Sequence, residues 1–217
     1  MWEEVLKPYQ VHLSEDQYKL YYAGVPTGAN ALDIVKRFDL QVSPSVLASA
    51  KNAATRKFLS KNAFPLMAGV QESIAFFRSR GLKLAIVTGA GRFGVDATIR
   101  AHALDNCFAT IVSGDDVRNS KPAPDCYLLA MQHLALNPGE CIAIEDTEHG
   151  VAAASSAGVT CLAVPTSMSE HHCFASAAGI FRGLREAAHW VESYFPSSMK
   201  ANPALKRTVP GKPGPAA

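Results

Sequence analysis

Two spacings of apolar residues divide the chain. From Trp2 to about Phe64 the apolar positions recur at helical spacing, and helix starts are marked by Ser14 with Gln17, a capping box, and by Ser43 before Pro44, an N-cap followed by an N1 proline. This predicts a small all-α unit over residues 1–66. From Gly69 to Pro165 the period changes: short apolar runs at 83–87, 109–112, 141–144 and 160–164 predict strands, with amphipathic stretches between them. Such alternation predicts an α/β fold over residues 67–196, with a doubly wound, parallel, Rossmann-like sheet covered on both faces. Residues 183–194 predict one more amphipathic helix. Residues 197–217 are rich in Pro, Gly and Lys without an apolar face, and are expected to be disordered.

Composition narrows the function classes. The chain has 217 residues, 48% of them hydrophobic, enough to bury a substantial core. A formal charge of +2 and the scatter of Lys and Arg among Asp and Glu give no basic stripe, which argues against nucleic acid. No apolar run reaches the ~18 residues of a membrane span, and the N-terminus does not resemble a secretory signal. The cysteines are five in number, widely spaced and without a C-x-x-C pair, so reduced thiols and a cytoplasmic compartment are expected.

In an open parallel sheet ligands bind beyond the carboxyl ends of the strands, and the residues there carry the candidate chemistry. After the 83–87 strand come Thr88, Gly89, Ala90, Gly91 and Arg92. A hydroxyl and free backbone N–H groups before a helix suit an anion; equally, Thr88 caps the helix and the glycines make the turn. Arg92 is the nearest strand-end cation, or a solvated helix-start residue. After the 109–112 strand, Lys121 within Ser120-Lys121-Pro122-Ala123-Pro124-Asp125 could aim its ammonium at a phosphate, or lie in solvent beside a helix-entry proline. After the 141–144 strand, Glu145 and Asp146 stand side by side. Adjacent carboxylates suit a hard cation such as Mg²⁺; alternatively Asp146 is the N-cap of a helix over 147–156, with Glu145 and Glu148 facing its positive end. His149 reads as a helix-face residue, since no second His or Cys lies at metal-binding spacing.

Taken in order, these segments resemble the second, third and fourth signature motifs of the haloacid dehalogenase superfamily. Ser113-Gly114-Asp115-Asp116-Val117, the run from Lys121 to Leu128 and the run from Glu145 to Ala154 are similar to its phosphoglycolate phosphatase and β-phosphoglucomutase (CbbY-like) branch. The resemblance covers about residues 2–165. It implies that the N-terminal helices are a cap, with Gly24, Val25, Pro26 and Thr27 as the loop facing a phosphorylated small-molecule substrate. It further implies that Thr88 and Gly89 bind the transferring phosphoryl group and that Lys121 neutralises its oxygens. Asp146 would bind Mg²⁺, with Glu145 supporting the metal shell. Thr27 stands where an arginine clamping a second phosphate would be expected in a β-phosphoglucomutase-like protein, which favours a simple phosphatase over a phosphomutase.

The same resemblance implies a first motif, Asp-x-Asp-Gly after a central strand, whose first Asp is the nucleophile. No Asp-x-Asp occurs in the sequence. The expectation is that roughly twenty residues, one strand and its loop, are absent, as in a truncated gene model or fragment. The strands ending at Thr88 and Glu145 would then face each other across the position of the missing strand. This chain would be catalytically silent alone, within an otherwise active Mg²⁺-dependent phosphatase, or a pseudoenzyme that binds a phosphorylated metabolite. An interaction domain without a ligand would leave the ordered strand-end motifs as coincidence. Sequence alone gives no oligomeric state.

Overall fold

A computed structural model describes residues 1–194. Helices α1 (Trp2–Leu6), α2 (Glu15–Tyr21), α3 (Thr27–Arg37) and α4 (Pro44–Leu59) pack around Leu6, Tyr22, Ile34 and Leu47, all almost fully buried. Each of the three aliphatic side chains among them contributes about 1.5–3 kcal/mol by leaving water. The two expected helix starts are present: Ser14 and Gln17 exchange both capping-box bonds, and Ser43 accepts from Val46 N with Pro44 at N1.

The remainder alternates helix and strand: α5 (Val70–Ser79), β1 (Ala85–Val87), α6 (Arg92–Ala101), β2 (Thr110–Val112), α7 (Asp125–Leu134), β3 (Ile142–Glu145), α8 (Glu148–Ser156), β4 (Thr160–Ala163), β5 (Gly179–Ile180) and α9 (Leu184–Tyr194). All pairings among the described strands are parallel, as the alternation predicts. Strand β5 was not expected. Its two residues are too short to carry a period of their own. The expected tail, residues 197–217, lies outside the described residues.

Side-chain alternation along the strands fixes which helix covers which face. Ala143, Cys161 and Ala163 pack with Tyr127, Met131, Val151 and Ala154, so α7 and α8 cover this face. Ile142, Ile144, Leu162 and Val164 pack with Phe77, Ala187 and Val191, so α5 and α9 cover the other. Glu145 shares the parity of Ala143 and is therefore carried under α7 and α8, where it is 8% exposed.

The sheet is interrupted. β1 pairs with β2, and β3 with β4 and β5, but β1 and β3 are not paired with each other. A cavity of about 360 Å³ is lined by Val87 of β1, Ile142 and Ile144 of β3, and apolar residues of α5, α7 and α9. The strands ending at Thr88 and Glu145 are thus the facing inner strands of two half-sheets.

Candidate active site

The strand ends meet at one cavity of about 820 Å³, lined on the α/β side by Thr88, Gly89, Lys121, Glu145 and Asp146. The expected phosphate and metal residues are therefore brought together.

Lys121 is the centre of the arrangement. Its Nζ donates to Val87 O at 2.9 Å and to Glu145 Oε1, joining the carboxyl end of β1 to that of β3. Tyr127 on α7 also donates its hydroxyl to Glu145 Oε1. Burial first, and the Glu145 charge second, push the Tyr127 phenol well above its ordinary pKa, so it stays a donor. The side chains of Lys121 and Glu145 are 10% and 8% exposed, a buried ion pair with an additional donor from Tyr127. Gly150, one turn into α8, leaves room for this carboxylate, since a Cβ there would fall on Glu145. Glu145 was expected to support a metal shell; its Oε1 accepts from a lysine and a phenol.

Asp146 was also considered as the N-cap of the following helix. The cap is instead Thr147, whose Oγ1 accepts from Gly150 N at 3.2 Å, because β3 runs one residue further than its apolar run and α8 begins at Glu148. The Asp146 carboxylate makes no hydrogen bond and no ion pair among the described residues, and it lines the cavity.

Thr88 does not cap α6 either. Its N–H donates to Val112 O at 2.9 Å, and its Oγ1 accepts from Ala90 N at 3.1 Å, which leaves the hydroxyl hydrogen free to donate. The first N–H of α6, from Arg92, is satisfied by Asp115 Oδ2 at 2.8 Å. Gly114 lets two loops touch here, because a Cβ on it would lie 2.5 Å from Gly89 O. Arg92 turns away: its guanidinium donates to Ile111 O and to Asp116 Oδ2, and it does not line the cavity. Hydrogen bonds from Ser113, together with the Arg92 guanidinium, hold the Asp116 carboxyl below its ordinary pKa.

The opposite wall comes from the helical unit. Gly24, Val25, Pro26 and Thr27 line the cavity as expected, and Gly24, at φ +73°, lies against Thr147: a Cβ there would be 2.8 Å from Thr147 Cγ2. The loop is shaped by the buried amide of Asn30, which donates to Tyr22 O at 3.0 Å and to Val25 O at 3.2 Å. Sequence reasoning missed Lys51, Asn52 and Arg56 of α4, which line the same wall. The available signal was spacing: Lys51 follows buried Leu47 by one helical turn, so it sits on the packed stripe of α4.

Comparison with known proteins places the chain. Residues 2–164 match the haloacid dehalogenase-like hydrolases. The chain is 36% identical over 152 residues to the CbbY protein of Rhodobacter capsulatus, covering 67% of each. It is 30% identical over 158 residues to the fructose-1-phosphate phosphatase YqaB of Escherichia coli, covering 73% of this chain and 82% of that protein. Among solved structures, CbbY of Rhodobacter sphaeroides in complex with xylulose-(1,5)bisphosphate superposes with a TM-score of 0.74 at 25% identity, over 85% of this chain and 86% of that one. The chain spans about two thirds or less of the length of the CbbY proteins it matches.

Proposed function

The chain belongs to the haloacid dehalogenase-like hydrolases, in their CbbY and phosphoglycolate phosphatase branch, and from that premise we propose that it forms the phosphate- and metal-binding frame of a Mg²⁺-dependent phosphatase acting on a small phosphorylated metabolite. The observation that carries this reading is Lys121, anchored at both strand ends and lining one cavity with Thr88 and Asp146. The names of the sugar phosphatase and of the bisphosphate complex among its relatives support a phosphorylated sugar as the substrate class. The five free thiols support a cytoplasmic setting. Among the described residues no helix is long and apolar enough to cross a membrane.

In this reading the Lys121 ammonium offsets charge on the phosphoryl oxygens, and Thr88 donates its free hydroxyl hydrogen to one of them. Glu145 and Tyr127 act through Lys121 by fixing where its charge sits. The unpaired Asp146 carboxylate fits a hard cation. No cluster of three His, Cys, Asp or Glu side chains that could hold a metal occurs among the described residues, so Mg²⁺ would take its remaining ligands from water, phosphate and further carboxylates, as that ion commonly does. When bound, Mg²⁺ supplies further neutralisation of phosphoryl charge.

The nucleophile is the part we assign to a further segment. An extended apolar strand lying in the cavity between β1 and β3 would pair both free edges and deliver a carboxylate from its end beside Lys121. The test is to place a hydrophobic strand ending in Asp-x-Asp-Gly, with a short linker, ahead of Trp2. The expected result is a gain in thermal stability together with Mg²⁺-dependent phosphatase activity that Lys121→Ala or Asp146→Asn removes, whereas the 217-residue chain alone shows no turnover. An extended protein that melts cooperatively yet hydrolyses no sugar phosphate would favour a non-catalytic phosphometabolite-binding protein instead.

A further inference from the structure

The helix start that follows β1 already holds an anion, and the chain itself supplies it. Asp115 Oδ2 accepts from Arg92 N at 2.8 Å, and Gly91, the N-cap residue of α6, comes so near that a Cβ on it would lie 3.2 Å from the same oxygen. A ligand phosphate approaching this helix start would find its first N–H taken and a fixed negative charge beside it. Asp115 is exposed and lines the large cavity together with Thr88, Gly89 and Lys121.

No cation offsets that charge. The Arg92 guanidinium is committed to Ile111 O and Asp116 Oδ2, and Asp115 forms no ion pair and no second hydrogen bond among the described residues. Its Oδ1 is therefore an acceptor without a donor. The neighbouring turn, Gly89-Ala90-Gly91, has no side chain larger than a methyl that could cover the carboxylate. Backbone contact fixes its place: Gly114 packs on Gly89 O, where a Cβ would lie 2.5 Å away, and so brings the residue after it to the edge of the phosphoryl-binding turn. A carboxylate accepts hydrogen bonds and donates none. It suits a ligand hydroxyl and disfavours a second carboxylate or phosphate in the same position.

We propose that Asp115 is a specificity-determining residue: its unengaged oxygen accepts a hydroxyl hydrogen from the substrate's carbon chain, and its charge selects against an acid group on that side of the transferring phosphoryl group. The inference rests on the phosphatase reading above and narrows its substrate class to phosphate esters that carry a hydroxyl, and no acid, close to the ester. Lys121 and Thr88 then hold the phosphoryl group, and Asp115 reads what it is attached to.

Calorimetric titration of the 217-residue chain with Mg²⁺ tests this, using inorganic phosphate and three esters of equal carbon count: propyl phosphate, glycerol 3-phosphate and 3-phosphoglycerate. The expected result is that glycerol 3-phosphate binds about tenfold more tightly than either of the other two esters, the effect of one charge-assisted hydrogen bond. Asp115→Asn retains an oxygen for Arg92 N but removes the charge, so 3-phosphoglycerate should gain about tenfold and approach glycerol 3-phosphate; a merely structural role would not move that ratio. Circular dichroism establishes that the variant folds, and the preference of the unaltered chain is informative without it. Equal affinity of the unaltered chain for glycerol 3-phosphate and propyl phosphate, or for glycerol 3-phosphate and 3-phosphoglycerate, overturns the inference and leaves the phosphoryl site intact, as does a preference that Asp115→Asn leaves unchanged. If inorganic phosphate itself fails to bind, or binds equally well after Lys121→Ala, the phosphatase reading falls and this inference with it.

Discussion

The carboxylate of Glu145 occupies the space that a side chain at Gly150 would fill. A residue one turn into α8 is thereby held to glycine by an acid at the end of β3. Gly150→Ala should push that carboxylate off Lys121, destabilising the protein by about 1–3 kcal/mol as overpacked sites do. Urea unfolding measures the loss, and phosphate titration should show weaker binding in the same variant. Parent-like stability and phosphate affinity together would mean that the Glu145–Lys121 pair is not positioned as described.

Lys121→Met and Asp146→Asn should separate two kinds of strand-end residue. The first removes the cation from a buried carboxylate and should cost about 3–5 kcal/mol of stability. The second alters a carboxylate that bonds nothing among the described residues, and should change stability by no more than about 0.5 kcal/mol in the absence of divalent cations. Denaturant midpoints measured in EDTA give both numbers; a large loss in Asp146→Asn would show that its carboxylate has a structural partner.

Tyr127→Phe keeps the ring and removes the phenol that donates to Glu145. The carboxylate retains Lys121 but loses one buried donor, so the expected cost is about 1–3 kcal/mol. Urea unfolding again reads it. A neutral result would show that the lysine alone holds Glu145.

Alkaline pH should loosen the same region. Burial, reinforced by the Glu145 charge, pushes the Cys161 thiol from an ordinary value of 9.0 up to about 12. The folded state keeps the thiol proton where the unfolded chain releases it, so this contribution is whole below pH 9 and is lost as pH rises toward 12, at roughly 1.4 kcal/mol per unit. Denaturant midpoints taken across that window should fall, and Cys161→Ala should flatten the fall. An unchanged slope in the variant would assign the alkaline loss to other groups, the Tyr127 phenol first among them.

Gly24→Ala should weaken the seating of the cap loop. The position combines φ +73° with an approach of 2.8 Å to Thr147 Cγ2. The left-handed backbone alone costs a non-glycine residue about 1–2 kcal/mol, and withdrawing the loop relieves both strains. Small-angle scattering should report a larger radius of gyration for the variant, with the helical unit still folded by circular dichroism; an unchanged radius would show that the contact yields locally.

Much of this site was legible because strand-end chemistry is local. Thr88, Lys121 and Asp146 each follow a short apolar run, and parallel topology brings such positions to one edge. What stayed hidden depends on packing between distant segments. Parity put Glu145 on the face of Ala143, but only the placement of α7 and α8 reveals that Tyr127 and Gly150 surround it. The cap of α8 was misplaced by one residue, because β3 extends to a charged residue that an apolar-run reading excludes. Lys51 meets Thr27 across 24 positions through the packing of α4 on α3, a contact without local signature.

The loop of Gly24 to Thr27 is shaped from below by a single amide. Asn30 ties Tyr22 O and Val25 O while leaving the side chains of Val25, Pro26 and Thr27 to face the cavity. Backbone shape and the surface offered to the cavity are thus set by different residues. Under the proposed phosphatase function, exchanges at Val25 or Thr27 would alter which metabolite fits without refolding the loop that presents them, so single steps there would shift preference while Asn30 stays in place.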